Sequence, residues 1–145
     1  MGYRMFNANI TIFNKVYDPK TRSDKYVRKV LKGVHVEKTH TIQKDDSKVI
    51  VNDSLFVSIP FSDEYTSPKK FQETKEGYTI QNRDVIVVDI VEKDIESLKD
   101  LKDMDDIYTV NSVEVIDYSK GLNHIEVYAS WLLLIKLILR ALMRF

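Results

Sequence analysis

Apolar residues along this 145-residue chain follow strand spacing through most of its length. Asn9–Asn14 alternates Ile10 and Ile12 with Thr11 and Phe13, which predicts a first strand. Tyr17-Asp18-Pro19-Lys20-Thr21 then reads as a turn, because Asp bonds its own backbone and Pro fixes φ. Tyr26–Thr41 predicts a long strand carrying Val27, Leu31, Val34 and Val36, with Gly33 as the bulge that shifts their phase. Gln43–Lys48 is polar and turn-like. Val49–Val51 and Leu55–Ile59 predict two further strands, and Pro60, which has no N–H, ends the second ladder.

The stretch Asp84–Tyr118 organises the rest. Val85–Val91 is almost wholly β-branched and apolar, as in a strand covered on both faces or lining a small closed barrel. Ile107–Val115 predicts its companion, with Ile107, Thr109, Val113 and Val115 on one face and Tyr108 and Val110 on the other. Between them Ile95, Leu98, Leu101 and Met104 mark one side of a short helical segment. Asp94 is a candidate N-cap, and Ser97 with Asp100 forms a second cap pattern. Tyr118-Ser119-Lys120-Gly121 reads as a turn and Leu122–Tyr128 as a last strand.

Phe61–Asn82 is the longest irregular stretch. Ser67-Pro68 followed by Lys69–Glu73 predicts one capped helical turn with Pro at its first position, and Gly77 precedes a short strand, Tyr78–Gln81. A loop this long is either functional, ordering on assembly, or a surface excursion that packs through Tyr65 and Phe71. The pattern as a whole predicts a mainly β fold. It would be a small β-barrel or sandwich of about six to eight short strands with one short inserted helix. The expected division is a β-barrel-like domain at 1–129 and a C-terminal amphipathic helix at 130–145.

That last segment, SWLLLIKLILRALMRF, is nearly all apolar. Lys136, Arg140 and Arg144 recur every four residues and would form one polar stripe, with Ser130 as the cap. As a helix it would be about 22 Å long at roughly 1.5 Å per residue, short of the ~30 Å hydrocarbon core. It fits either a membrane interface or a protein partner, with Trp131, Leu134, Ile135, Ile138 and Leu142 as the candidate interface.

Composition narrows the chemistry. No cysteine is present, which excludes disulfides, thiolate metal sites and a cysteine nucleophile. Met1–Asn9 has no apolar leader core, so an intracellular site of synthesis is expected. The net charge is zero but uneven: residues 1–50 hold 11 Lys/Arg and 5 Asp/Glu, and residues 51–130 hold 8 and 17. Such a split suits head-to-tail association or a solvated surface that folding mixes. Lys25, Arg28, Lys29 and Lys32 are the best basic cluster, open to non-specific DNA contact or to service as a Lys-rich strand edge. His35 and His40 face opposite ways on a strand, and His124 with Glu126 is a two-residue set, so no metal is expected. Asp100, Asp103, Asp105 and Asp106 lack the glycine and terminal glutamate of a calcium loop. The glycines are isolated, and no base accompanies Ser112 or Ser119. No enzyme and no cofactor is the resulting expectation.

Two groups of short stretches carry a resemblance. Asn7–Asn14, Tyr17-Asp18, Asp24-Lys25-Tyr26 and Lys32-Gly33-Val34-His35 form the first group. The second comprises Ile59-Pro60-Phe61, Tyr65, Ser67-Pro68-Lys69, Asn82-Arg83-Asp84 and Gly121-Leu122-Asn123-His124. Together they resemble small head–tail connector (head-closure, stopper-type) proteins of tailed phages and prophages of Gram-positive bacteria. The resemblance implies a structural neck protein, assembled in the host cytoplasm into a homo-oligomeric ring of the virion neck. It would join portal to tail-completion proteins and help retain packaged DNA. The loop with Tyr65, Lys69, Lys70 and Phe71 would then reach the channel or a partner. The segment from Trp131 departs from that pattern, and a small membrane-associated protein is the alternative.

Overall fold

The computed structural model describes residues 2–46, 48–117 and 123–131. They form a mainly β fold: a closed antiparallel barrel of six strands with one short helix. The strands are β1 (Gly2–Asp18), β2 (Ser23–Asp45), β3 (Lys48–Pro60), β4 (Val85–Val87), β5 (Ile107–Ile116) and β6 (His124–Trp131), joined in the order β1-β2-β3-β6-β5-β4. The helix α1 (Pro68–Thr74) lies between β3 and β4.

The first three strands are long rather than short. The predicted pair Val49–Val51 and Leu55–Ile59 is one strand, because Asn52, Asp53 and Ser54 stay in register opposite Thr41, His40 and Thr39. Two bulges bend β1 and β2 around the barrel. Met5 pairs with Val36 and Ala8 with Val34, so Phe6 and Asn7 together oppose His35, and Asn7 has φ 56°. Asn9 then pairs with Lys32, leaving Gly33 as the extra residue of β2 at φ 74°.

Ile10, Ile12, Val34, Val36, Leu55, Val57, Ile86, Ile125 and Val127 fill the barrel interior. A second core lies outside the wall, where Phe13, Val85, Val87 and Ile107 pack against Val91, Ile95 and Leu101. β4 is therefore buried on both faces, as its continuous apolar run implied. The strand itself stops at Val87. Beyond it, Thr11 holds the chain against β1: its hydroxyl donates to the Asp89 carbonyl at 2.7 Å and accepts from the Val91 N–H at 2.9 Å.

The segment between β4 and β5 forms one 3-10 turn, Leu98–Leu101, in place of the expected helix. Apolar residues every three positions stay aligned at three residues per turn and drift at 3.6, so the spacing suits this geometry. Asp100, not Asp94, secures its start, accepting from the backbone N–H groups of Glu96 and Ser97 at 2.9 and 3.3 Å. Asp94 is spent on Arg28, 3.0 Å away.

The faces of β5 also differ from the simple alternation. The register with β6 slips between Val110 and Ser112, so Val113 packs with Tyr108 and Val110 rather than with Ile107 and Thr109. Ser130 and Trp131 belong to β6, paired with Thr109 and Tyr108, and not to a helix start. The strand domain thus extends past residue 129. The turn at 118–121, Leu122 and the candidate helix residues Leu134, Ile135, Ile138 and Leu142 lie outside the described residues.

Candidate interaction surfaces

The excursion from Phe61 to Asn82 fills the wall where β4 is too short to close it. α1 begins as the sequence predicts, with Ser67 before it and Pro68 in its first turn. Of the candidate residues here, Phe71 is fully buried and anchors α1, Tyr65 is half-buried, and Lys69 and Lys70 are exposed. Tyr65 sits between Phe61 and Tyr78, with ring centroids 5.4 and 5.8 Å away. Tyr78–Gln81 forms no strand ladder. It makes one bridge, Tyr65 to Tyr78, and buries Tyr78, Thr79 and Ile80. Burial raises the phenols of Tyr65 and Tyr78 above their ordinary range.

A buried polar group ties this insert to the barrel. The Asp84 carboxylate accepts from Asn14 Nδ2 at 2.8 Å, from the Lys15 N–H at 2.9 Å and from the Gln81 N–H at 3.0 Å. Asn14 Nδ2 also donates to the Thr79 carbonyl at 2.6 Å. Burial nevertheless pushes the Asp84 carboxyl up to about 6. Sequence pattern gives no sign of this network, because Asn14 and Asp84 lie 70 positions apart.

Charges that segregate along the chain meet in space. Arg28 pairs with Asp94 at 3.0 Å, Lys29 with Glu64 at 2.9 Å and Lys38 with Asp106 at 2.6 Å. Lys25 pairs with Asp18 at 3.0 Å. Three members of the basic cluster are thus partnered within the chain, which leaves less free charge for phosphate.

The histidines behave as their spacing implied. His124 Nε2 lies 3.1 Å from Glu126 Oε1, and His35 Nε2 lies 3.2 Å from Glu37 Oε1, each along one strand. His40 reaches across to Asp53 on β3. Among the described residues no group of three or more His, Asp or Glu side chains is placed to hold a metal ion. Trp131, half-buried against the interior core, donates its indole N–H to the Asp105 carbonyl at 3.3 Å. No helix among the described residues is long and apolar enough to cross a membrane.

Two features are open to a partner. The first is the far end of the β2–β3 hairpin. β1 accompanies β2 only as far as Thr39, and β6 accompanies β3 only from Ser54. The rows from His40–Asp53 to Asp45–Lys48 therefore stand beyond the barrel as a two-stranded arm with no third strand on either edge. Ile42 on this arm is 58% exposed. A two-stranded ribbon is marginal in water on its own. The second is a hollow of about 450 Å³ where β2 and β3 diverge. β3 leaves β2 after the pair His35–Ser58, so Lys29–Val34 has no strand on that side. Leu31, Val34, Ile59 and Tyr78 line the hollow.

Neither a curated protein nor a solved structure matches the chain. Residues 5–130, from β1 to the end region of β6, match a family described as a family of unknown function, and the chain belongs to that family, DUF6751.

Proposed function

We propose that the chain is a structural assembly subunit, a ring-forming head–tail connector of the phage neck that joins portal to tail and helps retain packaged DNA. The observation that carries the reading is the arm at 40–53, whose strand edges are open on both sides. A projecting ribbon that is marginal alone gains stability by adding to another sheet, and repeated head-to-tail contact closes a ring. The small closed barrel agrees with the resemblance noted above. An assembly role also needs no catalytic group. Lys69 and Lys70, exposed on α1, are the cations proposed to meet portal or DNA.

Native mass spectrometry tests this on the full chain and on one ending at Trp131, each alone and with the portal protein. The expected result is ring-sized assemblies once portal is present. Monomers under every condition would rule the connector out.

A further inference from the structure

We infer that the arm of one copy seats in the β2 hollow of a second copy, adding its β3 edge to the open edge of Lys29–Val34. This rests on the assembly reading above and names the surface that reading leaves unspecified.

The two parts match in kind and in length. The arm offers the β3 edge from Lys48 to Asp53, which no strand pairs among the described residues. The hollow offers the β2 edge from Lys29 to Val34, which is unpaired for the same reason at the opposite end of the same strand. Each edge is about 17 Å long at roughly 3.4 Å per residue. Unpaired N–H and C=O groups in a row form a template for another strand. The hollow adds an apolar floor: Leu31, Val34, Ile59 and Tyr78 are buried beneath it, and Phe61 stands 39% exposed at its rim. Pro60 keeps β3 from closing the gap, since it cannot donate to β2. Gly33 leaves the mouth clear, with nothing within 4 Å of where a Cβ would stand. One side of the hollow is crossed by the Lys29–Glu64 pair, 2.9 Å apart, so the strand enters on the side of Lys32. Arm and hollow are different surfaces of one chain. The contact is therefore heterologous, the kind that generates rings.

The absence of cysteine makes the test clean. One population of the full chain carries Lys32→Cys, and the other carries Val51→Cys or Asn52→Cys. Adjacent strand residues point to opposite faces, so one of the two arm positions must share the face of Lys32. The populations are tagged differently, mixed with portal protein and treated with a short bis-maleimide. The expected product is a covalent heterodimer from one arm position. Arg22→Cys, on the other hairpin, should give none. Ring-sized assemblies without cross-linking from either arm position would overturn the arm–hollow contact and leave the connector reading standing. No assembly at all would overturn both. Cross-linking of Lys32→Cys to Leu134→Cys within a single monomeric chain would assign the hollow to the chain's own C-terminal segment and overturn the proposal.

Discussion

The side-chain amide of Asn14 and the carboxylate of Asp84 meet 2.8 Å apart with neither residue exposed, joining β1 to the insert that completes the wall. Three donors converge on Asp84 and no cation contacts it among its hydrogen bonds. An Asn at this position keeps one oxygen but turns an NH₂ toward at least one N–H. Asp84→Asn should cost about 1–3 kcal/mol, the range for a buried donor left unsatisfied. Urea unfolding at neutral pH measures it.

The same carboxylate gives a pH signature. Its folded-state value is raised to about 6, against about 3.9 in an unfolded chain. The folded state thus binds the proton more tightly. The stability contributed by that proton is complete below about pH 4 and is lost as pH rises through 6. Two pKa units correspond to roughly 3 kcal/mol at 1.36 kcal/mol per unit. Asp18 and Asp100 act in the opposite direction, since hydrogen bonds from Lys25 and from the N–H of Glu96 lower their values. The difference between wild type and Asp84→Asn cancels those shared effects. That difference should be larger at pH 4.5 than at pH 7.5, by on the order of 2 kcal/mol. A pH-independent difference would mean that Asp84 stays ionised throughout.

Gly33 and Gly77 both have φ near +70°, at 74° and 71°, but their surroundings differ. A Cβ at Gly77 would overlap the Glu64 carbonyl oxygen and crowd the Thr66 hydroxyl, whereas one at Gly33 would meet open space. Gly33→Ala should therefore cost only the left-handed strain, about 1–2 kcal/mol. Gly77→Ala should cost more, because backbone must move and the Tyr78–Glu64 hydrogen bond at 3.0 Å lies beside it. Comparing the two urea midpoints decides the order.

Phe71 is the buried residue of α1, which is otherwise a seven-residue helix on the surface. Phe71→Ala should destabilise by roughly 3–5 kcal/mol, the usual range for emptying a core aromatic site. Lys69→Ala and Lys70→Ala should each stay within about 0.5 kcal/mol, because both side chains are exposed. If the lysines instead weaken binding to portal without changing stability, their role is at the partner surface. Thermal melts and a pull-down with portal separate these effects.

Local chemistry was legible where a single residue dictates it. Gly33 as a bulge, Pro60 as a ladder end and Ser67-Pro68 as a helix start all follow from backbone restrictions that the residue type imposes. The continuous run at Val85–Val87 announced a doubly covered strand for a similar reason. What escaped the sequence depends on register. The slip at Asn111 moves Val113 to the interior face, and nothing in its residue type requires it. Asn52-Asp53-Ser54 reads as a turn in isolation, yet pairing with Thr39–Thr41 keeps it extended. The arm and the hollow were also hidden, because both arise where neighbouring strands stop. That is a property of sheet topology rather than of the residues lining them.

The end of β6 supplies the last prediction. Ser130 and Trp131 pair with Thr109 and Tyr108, and Ser130 also opposes Ser54. Trp131 packs on the interior core and donates to the Asp105 carbonyl at 3.3 Å. A chain ending at Ala129 therefore loses two ladder positions and an aromatic contact, not merely a peripheral segment. It should be less stable than one ending at Trp131 by about 2–4 kcal/mol, combining a partly buried aromatic with the lost ladder hydrogen bonds. Trp131→Phe keeps the ring and removes only the indole donor, so it should cost about 1 kcal/mol. Urea midpoints for the three chains test this directly. Equal midpoints for the chains ending at 129 and 131 would show that β6 closes the barrel without its last two residues.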